Sequence, residues 1–189
     1  MPSYFSKTSR LGRVNTGSVA QRLADTPGVA RTILGAARAA RGMSGADPRA
    51  MSHSWLFTGP PGSGRSLAAI DFAAALMCTD PEEPGCGRCE ACRAVLETKQ
   101  HTDLVLVDPQ EVIIPVDTVR EVIGRAASLP TVAPWRVVIF NTADRLHTNG
   151  ANALRKTVEE PPARTVIIMC APSDAPEDYS HPLRSRSRH

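Results

Sequence analysis

Aromatic residues make up only 4% of this chain of 189 residues, and no stretch approaches eighteen consecutive apolar residues. The first scarcity leaves no stacking platform for single-stranded bases. The second leaves no helical membrane span. Two local absences are more telling. Gly59-Pro-Pro-Gly-Ser-Gly-Arg-Ser66 has the layout of a phosphate-binding loop, but Arg65 stands where such loops carry lysine. Some eighty residues later, the apolar strand Val137-Val-Ile-Phe-Asn-Thr142 ends in an amide and a hydroxyl where carboxylates are expected. Together they describe a nucleotide-type fold that has given up hydrolysis.

The length suits one domain able to bury roughly 70% of its unfolded surface, enough for a real core. Charge is uneven: the first fifty residues hold eight Lys/Arg against two Asp, and the tail carries Arg184, Arg186 and Arg188. Basic patches of this kind neutralise phosphates without reading bases. Residues 1–17 carry Lys7, Arg10 and Arg13 among Ser, Thr and Gly, with no apolar core of signal-peptide length, and read as a disordered basic arm. A cytoplasmic chain with no membrane partner is expected.

Beyond the arm, helix and strand alternate. Thr26-Pro27 opens a helix whose apolar residues Val29, Ile33, Leu34 and Ala37 recur at helical spacing until Gly42. A linker at Ser44 to Ser52 follows, and then a buried strand at Ser54–Thr58. Leu67 to Met77 reads as the helix after the loop. Further strands are expected at Leu104–Val107, Arg136–Phe140 and Thr165–Cys170, with helices near Glu90–Glu97, Val116–Ala127 and Asn149–Glu159. Strands separated by helices imply an α/β fold with a parallel sheet covered on both faces.

In the loop, Gly59, Gly62 and Gly64 let backbone N–H groups turn toward one centre, the next helix adds its positive end, and the Ser66 hydroxyl can ligate magnesium. A plain glycine-proline turn is the bland alternative. Guanidinium is planar and bulkier than ammonium yet still a phosphate partner, so Arg65 is compatible with weak nucleotide binding or none. At the later strand, Asn141 cannot give a metal shell its negative charge and Thr142 cannot serve as a carboxylate base, a loss typically costing on the order of 10²–10⁴ in rate. Asp144 reads as part of the turn before the next helix.

Cys78, Cys86, Cys89 and Cys92 have the spacing of a closed tetrahedral Cys₄ zinc site, a structural one with no open position. Disulfides would be odd in a cytosolic chain, and four unliganded thiols are the looser alternative. Arg88 and Arg93 would offset the charge of a zinc tetrathiolate. Cys170, at the end of a strand, reads as a small core residue.

The phosphate loop, the four-cysteine module after its helix, Ala143-Asp-Arg-Leu146, Ala151-Asn-Ala-Leu-Arg-Lys-Thr-Val-Glu-Glu-Pro-Pro162 and Leu183-Arg-Ser-Arg-Ser187 resemble, in order and spacing, bacterial clamp-loader subunits. The resemblance covers roughly 18–189, and the lost acids and altered loop look like the delta-prime rather than the gamma/tau group of DNA polymerase III. It implies an AAA+ P-loop (RecA-like) domain with an inserted zinc module at 78–92, the family's lid and C-terminal collar domains being absent. It also implies that Arg186 acts in trans as an arginine finger on ATP bound by a neighbour. The implied partners are other clamp-loader subunits (gamma/tau, delta), the sliding clamp and, through the complex, primed DNA, within the DNA-directed DNA polymerase holoenzyme. Ser187 stands where the family has cysteine, and Arg155 where it has leucine, on a helix face expected to pack inward.

Three functions are open on this basis. The first is a non-hydrolysing, arginine-donating subunit of the clamp loader in DNA replication. The second is an active gamma/tau-like clamp-loader ATPase, which needs Arg65 to replace lysine and Asp144 the missing acids. The third is an unrelated phosphotransferase, which the cysteine module and Glu159-Glu-Pro-Pro162 argue against.

Overall fold

A computed structural model describes residues 17–108, 112–175 and 181–188. The arm expected at 1–17 lies outside the described residues except for Gly17. Helices α1 (Val19–Arg22) and α2 (Pro27–Ala40) precede strand β1 (Ser54–Thr58), which runs through the phosphate loop into α3 (Arg65–Met77). After the cysteine segment come α4 (Glu90–Arg93), prolonged by a π-turn at Ala94–Thr98, then β2 (Leu104–Val107), α5 (Val116–Ala126) and β3 (Arg136–Phe140). The described chain ends with α6 (Thr148–Glu159), β4 (Thr165–Ala171) and the short α7 (His181–Arg184).

The strands form one parallel sheet in the order β1-β4-β3-β2. Every residue of β3 and β4 is buried, as a sheet covered on both faces requires. Side chains alternate between two cores. Trp55, Val137, Ile139, Val166 and Ile168 face α2 and α3, while Leu56, Val138, Phe140, Ile167 and Met169 face α5 and α6. Along the outer edge of β1, the Arg188 N–H donates to Ser54 O at 2.9 Å and Leu56 N–H donates to Arg188 O at 2.8 Å. The chain's tail thereby begins a further parallel pairing with Trp55.

Helix α3 is apolar all round and buried from Ala68 to Met77, as such a helix must be. The one charge in that buried stretch, Asp71, accepts from Arg22 Nε at 2.6 Å. Burial pushes that carboxyl up even with the arginine opposing it. The pair ties α1 to α3.

The expected strands and helices are present with boundaries within two residues, apart from the helix at Glu90–Glu97, which the structure divides between α4 and the π-turn. Other readings need correction. Helix α1 was not expected; it rests on a capping box in which Gln21 N–H donates to Ser18 Oγ at 3.4 Å and Ser18 N–H to Gln21 Oε1 at 3.0 Å. Thr26 precedes α2, but its hydroxyl donates back to Leu23 O at 3.4 Å instead of capping the helix. The linker carries a short 3₁₀ turn, Pro48–Ala50, capped by Asp47. Arg155 does not pack inward: its side chain is 51% exposed, because Gly150, Ala151, Leu154 and Val158 form the buried face of α6.

At the edge where β2 and β3 begin, the fully buried Asp103 accepts from the N–H groups of Thr131 (2.7 Å), Val132 (2.7 Å) and Ala133 (2.9 Å) and from Arg136 at 2.9 Å. Arg136 also donates to Arg125 O at 2.6 Å and Ser128 O at 2.9 Å. Burial alone would raise the Asp103 carboxyl, but the three N–H groups and the guanidinium outweigh it and hold it at about 2. Relative to an unfolded value of about 3.9, this depressed acid contributes about 2 kcal/mol that is complete above pH ~4 and disappears as pH falls toward 2. Asp103→Ala, which strands a buried guanidinium, is expected to cost about 3–5 kcal/mol in urea unfolding at neutral pH. Stability of Asp103→Asn should be flatter across the acid window, and an unchanged acid profile would refute the assignment.

Candidate functional site

The phosphate loop sits where sequence placed it, between the end of β1 and the start of α3. Gly62 and Gly64 both adopt φ of +84°, a conformation that glycine reaches without a steric penalty, and Gly64 forms the N-terminal cap of α3. Ser63 N–H donates to Pro60 O at 3.0 Å, and Gly59 N–H bonds Ala171 O and Pro172 O, fastening the loop to the end of β4. Arg65 and Ser66 follow in the first turn of α3. The Arg65 guanidinium folds back and donates to the carbonyl of Gly59, while its Nε is buried with no hydrogen-bond partner. Beside the loop, a cleft of about 910 Å³ extends from Leu23, Thr26 and Val29 at the α1–α2 elbow, past Phe57 and Thr58, to Ser63, Gly64 and Arg65. Its size falls within the range of small-ligand sites.

Asn141 and Thr142 lie at the carboxyl end of β3, and the Thr142 hydroxyl is buried without a partner. Asp144 falls in the 3₁₀ turn Ala143–Arg145, as its sequence position suggested. Sequence reasoning missed Asp108. It follows β2, the strand beside β3, and accepts from the Asn141 amide at 2.9 Å. Burial pushes the nearby Cys170 thiol up to about 12, with the charge of Arg65 pulling it down and that of Asp108 pushing it up. Arg65 and Asp108 thus act on one patch at the sheet's edge. An aspartate directly after an apolar strand was the available signal.

The four cysteines come together. Their sulfurs all lie within 4.8 Å of one another, with Cys78 and Cys89 Sγ at 3.9 Å. A tetrahedral zinc with Zn–S of about 2.3 Å places its sulfurs about 3.8 Å apart, so the thiols fit such an ion. Backbone N–H groups of Asp80, Cys89 and Cys92 point to the sulfurs of Cys78, Cys86 and Cys89, each at 3.4 Å, and favour thiolate character. A hydrogen bond from Cys92, helped by backbone donors and opposed by burial, draws Cys78 down to about 4. Arg88 pairs with Asp80 at 2.7 Å and with Glu83 at 3.6 Å, so its charge is already shared with the segment's own carboxylates. The module is clamped to the domain at Gly85, whose carbonyl accepts from Val19 N–H at 2.8 Å. A Cβ there, at φ +75°, would lie 2.5 Å from Val19 Cγ2.

The arginine element sits at the other end of the sheet. Leu183 is buried, Arg186 N–H donates to Leu183 O at 3.2 Å, and Ser187 Oγ donates to the same carbonyl at 2.8 Å. Ser187 Oγ also lies 2.9 Å from Ser54 Oγ, so serine serves as a polar anchor against β1. Arg188 packs over the Trp55 ring at 5.3 Å. Arg186 projects at the amino end of β1, whereas the phosphate loop follows its carboxyl end. Five residues of strand separate them by roughly 15 Å. The Arg186 Nε donates to Glu159 Oε1 at 2.6 Å.

These features define a phosphate-loop α/β domain with an inserted four-cysteine module. A family model described as "DNA polymerase III, delta subunit" matches residues 44–188. The DNA polymerase III subunit delta' of Pseudomonas aeruginosa is 36% identical over 121 residues, covering 62% of this chain and 37% of the relative. The gamma/tau subunit of Mycobacterium tuberculosis is 34% identical over 145 residues, covering 76% of this chain and 25% of the relative. Among solved structures, a gamma subunit-related protein of Thermotoga maritima shares the fold with a TM-score of 0.51 at 20% identity, over 71% of this chain and 39% of that one. The chain belongs to the DNA polymerase III delta-subunit family of clamp-loader proteins. It spans 37% and 25% of the length of the two curated relatives named above. Family membership sets aside the unrelated phosphotransferase.

Metal analysis of reduced protein is expected to find about one zinc per chain. Cys89→Ser should lose the metal and unfold the segment around 78–92, seen as local loss of amide protection, with the sheet retained. Protein that binds no zinc, or keeps a protected module without it, would refute the metal site.

Proposed function

We propose that the chain is a delta-prime-type, non-hydrolysing subunit of the sliding-clamp loader that lends Arg186 to ATP held by a neighbouring subunit. The observation that carries this reading is the separation of Arg186 from the chain's own phosphate loop, at opposite ends of β1. An arginine so placed is out of reach of its own cradle and is presented at the rim of the sheet, where a neighbour's phosphates could meet it. Stabilising transition-state charge in this way typically contributes ~10³–10⁵ in turnover. The chain's own cradle favours the same division of labour. Arg65 is turned onto the Gly59 carbonyl, and Asn141 and Thr142 stand where carboxylates would organise magnesium and water. Nucleotide with magnesium binds weakly or not at all, and zinc at Cys78, Cys86, Cys89 and Cys92 is structural. The partners are gamma/tau and delta-type subunits, the sliding clamp and, through the complex, primed DNA. The setting is the cytoplasm.

One observation favours an active gamma/tau-like ATPase instead. Asp108 supplies a carboxylate at the sheet's edge, next to Asn141, and the adjoining cleft has room for a nucleotide.

The two readings separate by experiment. The purified chain is expected to show no steady ATP turnover above background; turnover abolished by Ser66→Ala and Asp108→Asn would establish the ATPase reading. In complexes with ATP-binding clamp-loader subunits, Arg186→Ala is expected to slow hydrolysis at the adjacent site ~10³-fold without altering its own unfolding midpoint. Unchanged hydrolysis there would sink the donor role. Arg65→Lys, which restores the compact ammonium and releases the Gly59 carbonyl, should tighten magnesium-nucleotide binding about tenfold in a direct titration. Equal affinity in both forms would remove Arg65 as the cause of weak binding.

A further inference from the structure

Glu159 is the last residue of α6, a place where the helix dipole disfavours a carboxylate. What the carboxylate does is gather guanidinium groups. Its Oε1 receives Arg186 Nε at 2.6 Å and Arg155 Nε at 3.4 Å. The Arg155 contact lies within the helix, one turn away, and is of ordinary surface type. The Arg186 contact joins two segments 27 residues apart in the chain and is the shorter of the two.

Both partners of that pair are about one-third exposed, at 36% and 32%, so it adds little to stability by itself. Its consequence is geometric. The backbone beneath Arg186 is already fixed, by buried Leu183 on one side and by the Ser187–Ser54 contact and the Arg188 bridge to β1 on the other. The long side chain is the remaining freedom. A carboxylate on Nε sets the guanidinium plane, and Ser185 Oγ, accepting from Nη1 at 2.9 Å, sets its rotation. The terminal nitrogens of an arginine held this way have the geometry of a bidentate phosphate contact.

We propose that Glu159 is a positioning residue that orients the Arg186 guanidinium for the phosphate of a neighbouring subunit. The proposal rests on the reading of Arg186 as an arginine donor and specifies how it is prepared. A preorganised group loses less freedom when the transition state forms, so the effect falls on turnover at saturating nucleotide and not on apparent affinity.

The test uses the chain assembled with ATP-binding clamp-loader subunits and compares Glu159→Ala, Glu159→Gln and Arg186→Ala. Glu159→Ala is expected to lower kcat at the adjacent site about tenfold with KM unchanged. Glu159→Gln, whose amide oxygen still accepts from Nε, should stay within about twofold of the parent. The unfolding midpoints of the variants should match the parent. Turnover that is unchanged or faster in Glu159→Ala while Arg186→Ala is slow overturns the positioning role and leaves the donor reading standing. A loss in Glu159→Gln equal to that in Glu159→Ala, or a change confined to KM, also counts against it. If Arg186→Ala is itself neutral, the donor reading falls and this proposal with it. Should Glu159→Ala fail to fold, Glu159→Asp, which withdraws the carboxylate by one methylene, must slow turnover; parental turnover in that variant overturns the proposal.

Discussion

A helix with no solvent-facing stripe has to be enclosed, and α3 is enclosed on every side from Ala68 to Met77. Its thirteen residues, about 20 Å of rod, carry the phosphate loop at one end and Cys78 at the other. Packing around Ala68 to Met77 therefore positions both the phosphate-type loop and the first cysteine of the thiol cluster. The cluster's remaining residues return along the same helix: Val95 and Leu96 of the π-turn join its core, and Cys92 Sγ donates to Ala74 O at 3.6 Å. One charge is admitted into the shell, and Arg22 meets it. Because α1 is only one turn long and marginal alone, the Arg22–Asp71 pair and the Val19–Gly85 contact hold it in place from two directions.

The two edges of the sheet divide the work. At the carboxyl edge lie the loop, Arg65, Asp108 and Asn141. At the amino edge lie two arginine–carboxylate pairs of contrasting character. Asp103–Arg136 is buried and hydrogen-bonded to the backbone of the 125–133 segment, so it is structural. Glu159–Arg186 is as short but about one-third exposed, where an ion pair adds little to stability. Burial decides which of the two pairs fastens the fold.

Much of this was legible in the sequence because the signals were local. Apolar runs bounded by glycine, proline or charge marked all four strands, and glycine spacing at a strand-to-helix turn marked the cradle. The cysteine spacing marked a cluster that the fold then closed. What remained hidden depended on pairing across distance. Helix α1 is too short to show periodicity and stands on a capping box and a contact to residue 85. Arg155 was placed on an inward face by analogy with a leucine at that position, whereas the buried stripe of α6 runs through Ala151, Leu154 and Val158. Asp108 became visible as a neighbour of Asn141 only once β2 and β3 were adjacent, since the two are 33 positions apart in the chain.

Binding an anion and hydrolysing a nucleotide make different demands on a phosphate loop. Anion binding by N–H groups at glycine turns and at a helix amino end depends on main-chain geometry, and here Gly62 and Gly64 at φ +84° lead the chain into α3. Hydrolysis needs two further things: a compact cation reaching the terminal phosphates, and carboxylates that fix metal and water. Arg65 uses its reach on the Gly59 carbonyl, and the carboxylate nearest the edge, Asp108, is engaged by the Asn141 amide. Each catalytic requirement is met by a group that resembles the needed one and is already occupied. A loop in that condition serves as the structural turn between β1 and α3, held by Gly59 to the end of β4 and by α3 to the thiol cluster.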